Sequence, residues 1–422
     1  MGGGIMDEAE FAALIGMDWG DREHHVVVWD VKNRTTAECA VEQTPEALHT
    51  WMSALMKRYA NRSIAIAVEQ SRGALVYALM NYADVVLYPV NPKSLARYRD
   101  AFRPGGAKDD PTDAELLTDL LRAHRDRLRP WKPDHASVRT LRLLVEDRRA
   151  LVGQRTALTN RLQNRLKEYY PQALAWAGGL DSLQACDFLE RWPNVAAARK
   201  VTLSQLTQFY RQHSSPFSSE RIELRFAEIR AAVELTADES VRTAATMFVR
   251  SVAGQLRNIT TSIQAYDRRV AALFAEHDDA SIFESFPGAG ERIAPRLLVA
   301  FGDDRSRFAE ALEVAQWSGI APVLKRSGNT TIVQARRACP TFVKQTFHEY
   351  ARLSIGQSEW ARAYYEERRA RGVERQTIFR SLAYRWIRIM YACWKNRQPY
   401  EEKRYIRELR RRGSPLAEKL AA

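Results

Sequence analysis

From residue 11 to about 130, short apolar runs alternate with amphipathic stretches, the pattern of strands and helices taking turns. Phe11–Asp18 is an apolar run ending in a carboxylate, Trp19-Gly20 turns the chain, and His24–Trp29 reads as the returning strand of a hairpin. Thr36–Glu42 supplies a third strand. Thr44-Pro45 caps a helix running to Tyr59, with Leu48, Met52, Leu55 and Met56 on its inner face. Ser63–Glu69 is a further apolar strand ending in an acid, followed by a helix over Ala74–Tyr82 and a strand over Val85–Tyr88. Asn91-Pro92 opens a loop, and Pro111 marks the start of a helix whose residues Asp113–Leu121 keep their apolar positions on one face. The pattern is that of a small α/β domain.

Trp131-Lys132-Pro133 breaks the chain, and a different periodicity follows. Over Ser137–Tyr170 the leucines Leu144, Leu151 and Leu158 recur seven apart, with Leu141, Leu162 and Leu166 alongside, which predicts one long helix. A second is predicted over Ala237–His277, where Phe248, Val252, Leu256, Ile259, Ile263, Tyr266, Val270 and Leu273 recur mostly in steps of four and three. Such seams imply a coiled coil, either between these two helices or with another subunit. Between them the pattern is mixed, with short helices at Asp181–Glu190 and Leu203–His213. Beyond residue 280 the chain reads as mainly helical. Helical stretches begin at Arg336–Pro340 and Phe347–Arg352 and continue through Ser358–Tyr365. Another covers Arg380–Trp394, where Leu382, Trp386, Ile389 and Met390 have the spacing of core residues. Lys403–Arg412 is a basic helix expected to fray. The resulting organisation is 11–130, an α/β domain; 135–278, a long-helix region with an insertion at about 171–236; 280–400, a C-terminal domain; and 401–422, a basic tail.

Composition narrows the function. The 422 residues suffice for two or three domains with cores. The net charge of +13 and a pI near 9.6 come with more arginine than lysine, and the planar guanidinium suits phosphate, so a nucleic-acid partner leads. An anionic membrane is the weaker alternative, because no compact amphipathic anchor stands out and no run of about 18 apolar residues occurs. The four cysteines are scattered without a CxxC pair, which argues against zinc and a disulfide framework and fits a reducing cytoplasm. No signal-peptide pattern is visible at the start.

The candidate chemistry begins with acids. Asp110 and Asp113 stand three apart and leave one side of a helix's first turn, where two like charges repel unless a cation lies between them. A hard divalent ion with oxygen ligands would relieve this, whereas a plain acidic helix start is the ordinary alternative. Asp18 and Glu69 end two strands of the same domain, and in α/β sheets strand ends and helix starts meet along one edge. Four carboxylates could therefore converge there, and two divalent ions held by them would suit phosphodiester chemistry.

The set Gly16-x-Asp18, Val68-Glu69 and Lys108-x-Asp110-x-x-Asp113-Ala114 resembles the N-terminal domain of transposases of the IS110/IS116/IS902 family. The resemblance implies an RNase H-like (RuvC-like) fold with an Asp-Glu-Asp-Asp tetrad. Residue by residue it assigns Asp18, Glu69, Asp110 and Asp113 as Mg²⁺ ligands, and Lys108 as the basic position ahead of the acids. Asp109 departs from the small polar residue usual there. The resemblance also makes the long middle helices a coiled coil for assembly into a homo-oligomer, dimer or tetramer.

In the C-terminal region, Phe286-Pro-Gly-Ala-Gly290 followed by Glu291–Gly302 resembles a helix-hairpin-helix unit. Gly288 and Gly290 would let backbone N–H groups approach a phosphate, although a ligand-free helix–helix turn has the same look. Gly319-Ile-Ala-Pro322 and Ser327-Gly328 match the family's C-terminal pattern, which makes Ser327 the nucleophile the resemblance implies. Without the family, Ser-Gly is a common loop dipeptide. Ser318-Gly319 has the same composition and reads as packing. Lys325 and Arg326 could neutralise a phosphate under attack, and Arg336 and Arg337 add positive charge. No histidine is an obvious base for Ser327; His348 is the nearest in sequence. The resemblance implies that the acids and their metal act on the same phosphate.

The expected function is a transposase that cuts and rejoins double-stranded DNA at element ends and target through a covalent phosphoserine. The family further implies a structured bridge RNA from the element's flank. A metal-dependent junction endonuclease using water is the alternative enzyme. A catalytically dead nucleic-acid-binding protein would lack the acids, and all four are present.

Overall fold

The computed structural model describes residues 10–69, 72–102, 110–328, 330–416 and 420; at Asp110, Ser327 and Thr331 the backbone alone is described. By contacts the chain forms two compact units, Met1–Pro133 and Asp134–Ala422.

The first unit is a five-stranded mixed sheet in the order β3-β2-β1-β4-β5. Its strands are β1 (Ala13–Asp18), β2 (Glu23–Asp30), β3 (Thr35–Glu42), β4 (Ile64–Val68) and β5 (Val85–Pro89). β1 and β2 pair antiparallel, as do β2 and β3, whereas β4 lies parallel to both β1 and β5. Every residue of β1 and β4 is buried, as expected of central strands covered on both faces. Helices α1 (Pro45–Arg58) and α2 (Ala74–Leu79) contribute to the core on one face, with Met52, Leu55 and Leu79 packed with Ile15, Met17 and Ile66. On the other face Leu14, Ala65 and Ala67 pack with Leu95, Leu116, Leu117 and Leu121. Those residues come from α3 (Pro92–Phe102) and α4 (Asp110–His124).

α3 corrects the expected loop after Asn91-Pro92. The Asn91 side chain accepts from the Lys93 backbone N–H at 2.9 Å, so Asn91 acts as a helix cap and Pro92 occupies the first turn, where its missing N–H costs nothing.

In the second unit the two long helices are α5 (Ala136–Tyr169) and, after the short helices α6 (Ala173–Trp176), α7 (Leu183–Arg191), α8 (Val195–Ala198), α9 (Leu203–Gln212) and α10 (Ser219–Ala231), α11 (Glu239–Ala275). α5 and α11 pack on each other within the chain and run antiparallel. Val138, Leu141 and Val145 share a core with Val270 and Phe274, while Leu162 and Leu166 share another with Ala245, Val249 and Val252. The heptad leucines Leu144, Leu151 and Leu158 are only half-buried. The buried stripe of α5 runs instead through Val138, Leu141, Val145, Leu162 and Leu166, and that of α11 includes the small Ala245, Ala253 and Thr260 beside Val249, Val252, Leu256 and Ile263. The segment between the long helices, where the sequence pattern was weak, adds Trp176, Phe188, Leu206, Phe209 and Tyr210 to the second of these cores.

The rest of the unit comprises α12 (Ala280–Glu284), α13 (Gly290–Phe301), α14 (Ala311–Trp317), a hairpin of β6 (Val323–Ser327) and β7 (Thr330–Gln334), and α15 (Thr341–Ser354), α16 (Glu359–Ala370), α17 (Arg375–Lys395) and α18 (Glu402–Arg411). Trp360, Trp386 and Trp394 are fully buried, so the tryptophans are core as the spacing predicts. Two expectations fail here. Arg336–Pro340 is not helical: Pro340 caps α15, and a residue ahead of proline is pushed out of the helical region. The basic tail helix is docked, because Leu409 joins the aromatic core and Tyr405 packs against Trp360. Among the described residues no helix is long and apolar enough to cross a membrane, and all four thiols are free.

Candidate functional site

The acids of the first unit are positioned by the sheet and one close helix contact. β1 and β4 are parallel neighbours with Met17 opposite Val68, so Asp18 and Glu69 follow at adjacent strand ends. α4 lies directly on β1 because position 16 is glycine: a Cβ there would overlap the Ala114 carbonyl oxygen and come within 2.6 Å of the Thr118 backbone nitrogen and Oγ1. The Gly16 N–H donates to Thr118 Oγ1 at 2.8 Å, and the one proton of that hydroxyl is shared between the carbonyls of Val27 (3.1 Å) and Ala114 (3.0 Å). This clamp sets the first turn of α4, and with it Asp113, over the strand that ends in Asp18.

Asp18 and Asp113 are both buried, at 7% and 2% exposure, and Glu69 is half-buried. Asp113 is held by Arg99 of α3, whose Nε donates to Oδ1 at 2.9 Å and whose Nη2 contacts the same oxygen. Lys108 and Asp109 lie outside the described residues. The backbone of Asp110 starts α4, three residues before Asp113. Among the described residues no three histidine, cysteine or acidic side chains are gathered to hold a metal ion. The donor set is nevertheless all carboxylate, which fits a hard ion such as Mg²⁺ and no soft one. The guanidinium on Asp113 marks it as a place where the fold puts positive charge.

The serine stands on a hairpin that the sequence pattern did not reveal. β6 and β7 pair antiparallel and the last pair is Ser327 with Thr330, so Ser327 ends its strand at the tip of a two-residue turn. Gly328 has φ +55°, as such turns demand. The root is tied down: Ser318, Ile320 and Ala321 are buried, and Gly319 faces Cys339, whose Cβ would lie 2.8 Å from a Cβ at that position. Ser318 Oγ donates to the Ala315 carbonyl at 3.3 Å, the packing role expected of it. Beyond the root, Leu324, Ile332 and Val333 are 58%, 49% and 61% exposed, and Lys325 and Arg326 are exposed as well. A signal was available in Val323–Arg326 and Thr330–Val333, two β-rich runs flanking Gly-Asn.

The remaining basic candidates separate. Arg337 is exposed, whereas Arg336 is half-buried and its carbonyl accepts from Lys344 Nζ at 3.2 Å. In the turn between α12 and α13, Gly288 (φ +81°) abuts the Leu353 carbonyl, 3.1 Å from where its Cβ would be, while Gly290 (φ +50°) has open space. Gly290 is thus the glycine a backbone ligand could reach. For His348 on α15, burial lowers the pKa below the ordinary histidine value, and Lys344 and Arg380 lower it further.

Sequence comparisons bear on both halves. Residues 15–171 match the DEDD transposase family model of IS110 elements, and residues 280–366 match the family described as Transposase IS116/IS110/IS902. An IS117 mini-circle protein of Streptomyces coelicolor, whose name assigns it as a transposase, is 29% identical over 94% of this chain and 98% of its own. The 43.6 kDa protein of insertion element IS110 from the same organism is 24% identical over 94% and 98%. The 44.8 kDa protein of IS116 from Streptomyces clavuligerus is 26% identical over 91% and 95%.

Proposed function

Because the chain belongs to the IS110/IS116/IS902 family of transposases, whose DEDD domain is RuvC-like and acts on DNA, we propose that it cuts and rejoins DNA through a covalent phosphoserine at Ser327. The observation that carries this reading is the hairpin: Ser327 closes an exposed β-turn behind Lys325 and Arg326, inside the C-terminal family match. In the cutting step the Ser327 oxygen bonds to phosphorus, a deoxyribose oxygen leaves, and the serine's proton ends on that oxygen. Rejoining is the reverse, with an incoming hydroxyl displacing the serine, so the phosphodiester energy is conserved. Lys325 and Arg326 stabilise the charge that builds on the phosphate oxygens. Asp18, Glu69, Asp110 and Asp113 would hold Mg²⁺, which would supply Lewis-acid stabilisation of phosphate oxygens.

The domains follow the same reading: 11–130 as the RuvC-like nuclease part, 135–278 as the helical arm for assembly into a dimer or tetramer, 280–400 as the serine domain, and 401–422 as its tail. The hairpin-like turn before α13 grips a nucleic-acid backbone through Gly290, with Gly288 shaping the turn, and Lys108, Arg336 and Arg337 add phosphate contacts. A structured RNA from the element's flank supplies the pairing, so the protein itself reads few bases.

The test uses purified protein, Mg²⁺, end-labelled junction DNA and RNA co-purified from cells, resolved on a denaturing gel. A labelled protein band is expected, lost in Ser327→Ala and kept in Ser318→Ala. Cleaved DNA without linked protein, still made by Ser327→Ala and abolished by Asp18→Asn, would instead establish the water-using endonuclease.

A further inference from the structure

Arg99 sits one helical turn beyond Leu95 on α3, and Leu95 is fully buried, so the guanidinium lies on the face that the helix turns to the core. A charged group there requires a partner. It has one: its side chain is 12% exposed, and Nε and Nη2 both act on Oδ1 of Asp113, itself 2% exposed. Two donors on one oxygen engage half of the carboxylate and leave Oδ2 outside the contact. The cation therefore lies against an acid that the metal-ligand reading groups with Asp18 and Glu69, which carry the same sign.

We propose that Arg99 is a positioning residue and resident counter-cation of the acidic site: it holds Asp113 in the metal-free protein and opposes the divalent ion that the acids take up. The inference rests on the metal-ligand reading given above. Without a metal, like charges at one edge repel, and the guanidinium offsets part of that repulsion. With a metal, the guanidinium is a like charge beside the ion and shares its ligand, so the same residue weakens affinity. A purely structural arginine would act in one direction only, its loss harming both folding and metal binding. A counter-cation acts in opposite directions on the two.

The experiment measures Mn²⁺ binding by electron paramagnetic resonance of free ion, together with the unfolding temperature in chelator and in saturating Mn²⁺. Full-length protein, Arg99→Gln, Arg99→Lys and Asp18→Asn are compared. Arg99→Gln should unfold at lower temperature in chelator, bind Mn²⁺ roughly tenfold more tightly, and recover most of the lost stability in Mn²⁺. Arg99→Lys keeps the charge but loses the two-donor fork, and should lie between Arg99→Gln and wild type in both readouts. Weaker or unchanged Mn²⁺ binding in Arg99→Gln overturns the proposal. If wild type and Asp18→Asn bind Mn²⁺ alike, the metal-ligand reading itself fails, and this proposal with it.

Discussion

Asp18 lies one residue beyond the last β1–β4 pair, and the glycine at position 16 lets α4 approach β1 at Ala114 and Thr118, next to Asp113 in sequence. Gly16→Ala should therefore do more than remove flexibility. The new methyl collides with the Ala114 carbonyl and Thr118, neither of which is a flexible side-chain end, so α4 must move. Overpacking of this kind should cost about 3 kcal/mol or more, read as a lower urea midpoint, and Mn²⁺ affinity should fall with it. A full-affinity, full-stability alanine variant would show that α4 does not rest on Gly16. The four acids could be singled out from spacing and the family resemblance, because strand ends and helix starts are visible in apolar patterning. Arg99 could not: an arginine in a stretch read as loop carries no mark of its partner, and the contact with Asp113 spans fourteen residues.

Elements with long, regular periodicity were legible, and those defined by a few residues were not. Both long helices, the sheet strands and the tryptophan-rich α17 follow from pattern. α3 was hidden by an Asn-Pro pair that serves equally as loop opener and helix cap. The β6–β7 hairpin is too short and too exposed to show a core-facing alternation, since Leu324, Ile332 and Val333 all face outward from any core. α15 adds a pH dependence of its own. The His348 pKa is lowered by burial and by Lys344 and Arg380, and that of His24 on β2 is likewise lowered by burial, against a hydrogen bond with Gln43. Both folded-state values lie below the ordinary 6.5, so below that pH the unfolded chain binds more protons than the folded one. Stability is complete above this point and falls as pH drops through the window beneath it. The urea midpoint should decrease as pH drops below about 6.5, and His348→Gln should lessen the decrease. An unchanged profile in that variant would remove His348 from the account.

At the scale of the whole molecule, the formal charge of +13 overstates what is available to a nucleic acid. Much of the arginine coat on α5 is already engaged: Arg148 with Asp267, Arg142 with Asp134 at 2.7 Å, Arg149 with Glu349 at 3.1 Å and Arg155 with Asp181 at 3.4 Å. Arg148 is 15% exposed and ties α5 to α11, so its charge is spent within the fold. Lys325 and Arg326 are exposed on the hairpin that carries Ser327. The two classes should part in a salt titration of DNA binding followed by fluorescence anisotropy. Each phosphate contact contributes about −0.9 to the slope of log affinity against log salt. The double variant Lys325→Ala, Arg326→Ala should flatten the slope by roughly two while leaving the unfolding temperature unchanged. Arg148→Gln should leave the slope as it is and lower the unfolding temperature, because it leaves Asp267 without its partner in the helix pair. Equal flattening by both variants would mean that the α5 coat touches DNA directly and that its ion pairs open on binding. A slope insensitive to the hairpin variant would detach Lys325 and Arg326 from the phosphate, and with them the electrostatic support proposed for Ser327.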